Sequence, residues 1–341
     1  MKRMKKIIPA TFVLSSALLV APGFSSADTN TKNPVKMNAQ EGKAFMAAEQ
    51  GSVSISDWKD PFKGAFNALQ QNNASYNIAG VDYYYKNETL TDLTLNNVYQ
   101  SSVEADGSPT ITSSNSLFAG KTTLTNSTDQ DQVLTTNSFS KVFENSVTSS
   151  VTNGFNLGVT ASSTFGIPLI GETSVQLSTE YNFSKTDANT KAESYTYTAS
   201  PQNITVPAHS SVEVIVNLNT SKINGNVKLL SLVDGTYSVE GRDSNGRWYT
   251  SRGFLSNLAD EALRYDKNLN ISRKGIYDNK VYLVGHGKYS AEYGTEFSVT
   301  VKPVAKPSAL ASKSRSMVAE NSKTTNEGYT YTVKPEVKKE Q

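Results

Sequence analysis

The sequence predicts an all-β protein of long antiparallel strands. Two observations carry that prediction, and composition supports it. A polar/apolar alternation runs out over residues 147–165 and back over residues 175–183. Period two marks extended strand, because successive side chains point to opposite faces. A second alternation places Val212, Val214, Val216 and Leu218 on one face. Ser, Thr and Asn are abundant while Leu is modest, a balance that favours strands over helix bundles.

In chain order, residues 1–27 read as a secretory signal peptide cut near Ala27. Lys2, Arg3, Lys5 and Lys6 form its charged start, and an apolar run fills residues 7–20. That run falls short of the ~20 residues a helical span needs. Residues 28–52 are polar and aperiodic, a mobile leader. Trp58, Phe62, Ala65, Phe66 and Leu69 recur at spacings of three and four, which predicts a short amphipathic helix with Asp57 as N-cap and Pro61 in its first turn. Strands follow from Tyr76, with a turn at Asp106-Gly107-Ser108-Pro109. Asn224-Gly225-Asn226 reads as a compact turn, residues 235–277 as irregular, and residues 281–284 and 296–301 as closing strands. Beyond Pro303 the chain turns to Pro, Lys and Ser, a tail rather than a core.

Composition narrows the function. The chain has 0 cysteines, so disulfides, thiol catalysis and thiolate metal sites are excluded. A formal net charge of +2 makes no broad case for nucleic acid. Only His209 and His286 exist, both in turn-like contexts, and no hydrolase or phosphate-loop motif occurs. Asp129 and Asp131 read as solvated loop carboxylates. No enzyme, cofactor or metal is expected.

Five blocks carry a family likeness: "LTNSTDQDQVLTTNSFS" at 124–140, "IPLIGETSVQLSTEYNFSKT" at 167–186, "SPQNITVPAHSSVEVIVNL" at 200–218, "INGNVKLLSLVDG" at 223–235 and "GHGKYSAEYGTEFSVTV" at 285–301. In this order and spacing they resemble the epsilon-toxin/Mtx2 family of aerolysin-type β-pore-forming toxins. The resemblance implies an elongated aerolysin-like architecture of long antiparallel strands. It also implies a small helix-containing N-terminal receptor-binding region and an amphipathic insertion hairpin. It divides the chain into a receptor-binding region (53–118 with 235–280) and strands carrying the hairpin (119–200, hairpin about 147–183). A β-sandwich or oligomerisation region follows (201–234 with 281–305), and the leader 28–52 and tail 306–341 stand as possible activation segments. Its implied partners are a target-cell membrane with a surface receptor, an activating protease, and copies of itself, a heptamer by the resemblance. The protein would be secreted and then inserted in the target membrane.

The residues supply the mechanism. Unpaired backbone groups in lipid cost several kcal/mol each, so a lone hairpin cannot insert and a closed ring of hairpins can. The membrane-facing set is Val147, Val151, Phe155, Leu157, Val159, Ala161, Phe165, Val175, Leu177, Tyr181 and Phe183. The lumen-facing set is Thr148, Ser150, Thr152, Asn156, Thr160, Gln176, Ser178 and Glu180. Ile167, Pro168, Leu169 and Ile170 form an apolar tip that leads insertion, and Pro168 has no N–H to desolvate. Trp58, Tyr83, Tyr84 and Tyr85 are receptor-contact candidates, since aromatic residues anchor interfaces. Lys36, Lys43, Lys313 and Arg315 are activation-cleavage candidates. The competing class is a secreted lectin-like or adhesive β-protein that never inserts. It needs neither an apolar tip nor removable tails.

Overall fold

Strand β1 (Ser54–Asp57) runs straight into helix α1 (Asp60–Gln71). This computed structural model describes residues 53–171, 173–273, 275–276, 278–304 and 328–340, all in the unit Ala39–Gln341. Pro61 in the first turn and Asp60 at the positive helix end favour the start of α1. Phe62, Ala65, Phe66 and Leu69 are buried along one face. Burying Phe62 and Leu69 fully stabilises by about 1.5–3 kcal/mol each. The expected N-cap is corrected: Asp57 ends β1, and its carboxylate accepts from the Lys59 N–H at 2.9 Å.

A small hairpin of β2 (Ser75–Ile78) and β3 (Val81–Tyr84) comes next, then a 3₁₀ turn at Tyr85–Asn87. Two long strands follow, β4 (Glu88–Ala105) and β5 (Thr110–Asn126), joined at the turn that Asp106-Gly107 announces. β6 (Gln132–Thr135) precedes β7 (Phe139–Asn156), and β8 (Ser162–Gly166) precedes β9 (Ser178–Asn182). β10 (Asn189–Ala199) and β11 (Asn203–Val206) lead to β12 (Ser210–Arg242), a strand of 33 residues. β13 (Trp248–Phe254), helix α2 (Leu255–Ala262) and β14 (Ile271–Ser272) precede the 24-residue β15 (Lys280–Pro303). β16 (Tyr329–Val333) and β17 (Glu336–Lys339) close the chain.

β12 organises the main sheet, whose path is β13-β12-β15-β7-β10-β17. Its neighbours on the other flank are β5 near its start and β4 towards its end. β6 and β11 pair as a separate ribbon. The apolar alternation of β12 buries Val212, Val214, Val216, Leu218, Val227 and Leu229, among others, in one continuous core. That core extends from the two packed helices to the segment between β7 and β10.

Three expectations change. Asn224-Gly225-Asn226 is no turn: β12 passes straight through it, and Gly225 faces Tyr289 of β15 in the ladder. A Cβ at Gly225 would lie 2.4 Å from that ring, so glycine is there to seat a tyrosine. Residues 235–277 hold the end of β12, β13, α2 and β14. Residues 328–340, read as tail, form β16 and β17, which add to β15 and β10. The leader and the remainder of the tail lie outside the described residues.

Candidate membrane-insertion segment

β7 and β10 form an eleven-pair antiparallel ladder, from Phe139 opposite Ala199 to Ser149 opposite Asn189. The expected hairpin does not continue from there as one ladder. Its outward arm breaks between Asn156 and Ser162, and its return arm turns between Asn182 and Asn189. Between the breaks, β8 and β9 pair only with each other, over five residues. Asx turns make both breaks. The Asn156 side chain accepts from the Gly158 N–H at 2.9 Å, with Gly158 at φ +75°, and Asn182 accepts from the Ser184 N–H at 3.2 Å. The physical reason is burial: an intact hairpin of this length would hold its apolar face in water.

Folding back hides that face. Val147, Val151, Phe155, Leu157, Ala161, Phe165, Val175, Leu177, Tyr181 and Phe183 are all buried, and Val159 alone of the expected membrane-facing set is exposed, at 57%. At the tip Ile167 is buried, while Pro168, Leu169 and Ile170 are half-buried. On the polar face Asn156, Thr160, Gln176, Ser178 and Glu180 are exposed, and Ser150 and Thr152 are half-buried. Thr148 is buried and bonds Thr190 at 3.1 Å.

Up to Asn156 the segment is laddered to β15, β10 and β1; beyond it few backbone bonds reach the sheet, and side chains do most of the holding. The Tyr293 hydroxyl bonds both backbone groups of Ile170, accepting from its N–H at 2.8 Å and donating to its carbonyl at 2.8 Å. Thr173 donates to the Gly294 carbonyl at 3.3 Å, Tyr181 to the Lys288 carbonyl at 2.9 Å, and the Ser149 and Thr179 hydroxyls meet at 2.7 Å. The Phe165 ring lies 5.6 Å from Tyr289, and Phe155 meets Phe183 edge-on at 5.7 Å. Glycines of β15 make room for these rings: a Cβ at Gly287 would stand 2.9 Å from Tyr181, and one at Gly285 3.2 Å from Phe155. The residues "GHGKYSAEYG" therefore form a cradle for the segment, a role that alternation alone does not reveal.

The aromatic receptor candidates separate. Trp58 and Tyr85 are core residues, at 8% and 5% exposure, so neither offers a contact surface. Tyr83 and Tyr84 are half-buried; Tyr83 stacks on Tyr76 at 5.2 Å and meets Tyr249 edge-on at 4.8 Å. Beneath them buried Glu88 accepts from the Tyr76 hydroxyl at 2.7 Å and from that of Tyr249. Burial and this carboxylate push the Tyr76 hydroxyl far above its usual range. Trp248, which the sequence reading missed, is 67% exposed, with the Arg242 guanidinium 4.7 Å over its ring. Its signal was the Asp243-Ser244-Asn245-Gly246 turn, where a tryptophan directly after a polar loop begins a strand.

His209 stands in an exposed loop at φ +50° with its ring 2.7 Å from Asp129, and His286 on β15 lies 3.9 Å from Asp106. Among the described residues no cluster of His, Asp or Glu is arranged to hold a metal ion. No helix among them is long and apolar enough to cross a membrane. Lys36, Lys43, Lys313 and Arg315 lie outside the described residues.

Long antiparallel strands, a small helix-bearing region and a two-faced hairpin folded onto its own sheet define an aerolysin-like, β-pore-forming class of fold. The Mpp75Aa1.1 β-pore-forming protein from Brevibacillus laterosporus shares that fold at a TM-score of 0.58 and 21% identity, over 84% of this chain and 98% of its own. A chain of the Cry23Aa1 and Cry37Aa1 binary protein complex aligns over 84% of this chain and 100% of its own at 20% identity and a TM-score of 0.44. A non-toxic crystal protein from Bacillus thuringiensis aligns over 74% of this chain and 99% of its own, at 13% identity and 0.43. No curated protein matches the chain by sequence. Residues 71–306 match the family described as Clostridium epsilon toxin ETX/Bacillus mosquitocidal toxin MTX2. The chain belongs to that family, as the five sequence blocks anticipate.

Proposed function

We propose that this protein is a secreted pore-forming toxin that binds a target-cell surface, oligomerises, and inserts the hairpin of residues 147–183 from each subunit into a common β-barrel. One observation carries the reading. A nearly continuous apolar face is sequestered by short pairings and side-chain contacts, while its opposite face is polar and carries few charges. Released and rejoined into one hairpin, such a segment has one face for lipid and one for water. Closing the ring satisfies every strand edge, which is why assembly precedes insertion. Receptor contact falls to the helix-bearing region, through Tyr83, Tyr84 and the exposed Trp248. Proteolysis at Lys36, Lys43, Lys313 or Arg315 releases the segment for assembly. No enzymatic step enters this reading.

The test is a tether. Ser149 and Thr179 touch through their hydroxyls at 2.7 Å in the folded chain, and no continuous hairpin brings them together. Oxidised S149C/T179C is expected to bind cells without releasing trapped dye, and reductant to restore release. Full permeabilisation with the crosslink confirmed would overturn hairpin insertion.

A further inference from the structure

The two ladders of the segment are out of register with each other. Continued without a slip, the β7–β10 ladder would set Ser162 opposite Gln176. In β8–β9, Ser162 stands opposite Asn182, six positions further along the chain. One continuous hairpin has a single register, so at least one of these pairings must give way. Six is an even number, and an even slip leaves every side chain on its own face. The apolar and polar faces therefore survive either choice. What differs is which residues lie level across the hairpin.

We infer that the inserted hairpin takes the β7–β10 register throughout, turning at Leu169 and bringing Phe155 level with Phe183 at the edge of the lipid. This rests on the insertion reading above and specifies its membrane-contacting surface. In this register Ile167 meets Gly171, which leaves Pro168-Leu169-Ile170 as a three-residue loop. Gly171, the first residue of the return arm, already stands at φ +91°, a conformation that glycine takes without strain. Across the arms Leu157 then faces Tyr181, Ala161 faces Leu177 and Ser163 faces Val175. Polar positions match polar ones: Asn156 with Asn182, Thr160 with Ser178, Ser162 with Gln176.

The boundaries of the apolar band make the choice. On the return arm the band ends at Phe183, and Lys185 and Asp187 follow on the same face. On the outward arm it is first interrupted at Asn153, just before Phe155, and Val151 and Val147 beyond it lie outside the lipid in this register. The β7–β10 register sets Asn153 beside Lys185, so both arms leave the lipid at one level. The β8–β9 register would instead set Lys185 beside Val159 and Asp187 beside Leu157, with charges inside the band of the other arm. Residues 155–167 and 171–183 are thirteen on each arm. At ~3.3 Å per residue and a tilt of ~45° they rise about 30 Å, the thickness of the hydrocarbon core. Phe155, Phe183 and Tyr181 then form the aromatic girdle that barrels carry at the interface.

The experiment compares S162C/N182C with S162C/Q176C in the full chain. Vesicles are reconstituted from membranes of a cell line that the wild-type chain permeabilises. The 162–182 pair is expected to crosslink in the soluble monomer only, and the 162–176 pair in the inserted oligomer only. Oxidising S162C/N182C before addition is expected to reduce dye release at least tenfold, reversed by reductant. Three results would overturn the register while leaving hairpin insertion standing. They are a 162–182 crosslink in the permeabilising oligomer, neither crosslink there, or undiminished release by the pre-oxidised variant. If no cell line is permeabilised, the insertion reading fails and the register fails with it.

Discussion

β12 and the segment of residues 147–183 both alternate with period two, and both bury their apolar residues, yet they are held in different ways. β12 is bonded along both flanks, to β15 from residue 212 to 234 on one side and to β5 and β4 on the other. Its backbone is locked by ladders. From Asn156 to Asn189 the segment has one five-pair ladder of its own, and hydroxyls and rings secure the rest. The polar faces differ too. That of β12 carries charges paired with neighbours, as Glu213 with Lys121 at 2.7 Å and Lys228 with Asp106 at 3.0 Å. That of the segment is mostly hydroxyl, amide and glycine, with Glu172 and Glu180 as its charges. Repeated around a ring, a charge at the lumen repels its own copies, and neutral groups do not. An apolar stripe thus marks a strand, and the opposite face tells the frame strand from the segment proposed to insert.

The largest expected effect separates the two faces of the segment at adjacent positions. Val159 and Thr160 are both exposed in the folded chain, so arginine at either should change monomer stability by no more than about 0.5 kcal/mol. In the proposed barrel Val159→Arg faces lipid, between the edge and the midplane where arginine costs about 2–4 kcal/mol, a cost repeated in every subunit, and dye release should be lost. Thr160→Arg faces the water-filled lumen, where salt screens the repulsion among its copies, and should keep it. Equal release by the two variants would break the comparison.

Next in size is the frame. Leu229→Ala on fully buried β12 should cost about 2–5 kcal/mol in denaturant unfolding. The molecules that remain folded should form pores of unchanged conductance, because the residue lies outside the hairpin.

Alkaline pH acts through tyrosines of β10 and β15, Tyr289 of β15 lying against both Gly225 of β12 and Phe165 of the segment. Burial pushes the Tyr197 and Tyr289 hydroxyls from 10.0 to about 12. Above pH 10 the unfolded chain loses protons that the folded chain keeps. Stability should therefore be whole below about pH 10 and fall as pH rises through about 12, by roughly 2–3 kcal/mol for each tyrosine. Identical unfolding midpoints at pH 9 and pH 12 would contradict this.

The smallest effect sharpens the account of the latch. Tyr293→Phe removes two hydrogen bonds to Ile170, worth about 0.5–1.5 kcal/mol each. Amide exchange at Ile170 should quicken, and permeabilisation should begin sooner, while global stability stays close to that of the unaltered chain.

Much of this was legible in the chain. Alternation separated the buried side of residues 147–183 from the polar side, spacings of three and four located α1, and Asp106-Gly107 located the turn between β4 and β5. The failures share a cause: a residue chosen for a distant partner looks locally like something else. Gly225 beside two asparagines resembles a turn until Tyr289 is placed over it. The polar residues of β16 and β17 resemble a solvated tail until β15 and β10 supply ladders for them. Trp58 resembles a binding anchor until the core closes over it. The Asx turns at Asn156 and Asn182 were hidden by the alternation itself, because in an unbroken strand both residues simply take the polar face.

β17 is only four residues long, but it occupies the outer flank of β10, from Thr198 opposite Glu336 to Tyr195 opposite Lys339. A sheet edge left bare invites strands from other molecules. By pairing with Tyr195–Thr198, β17 takes that stretch of β10 out of reach as a template, so the end of the described chain caps an edge rather than trailing from it.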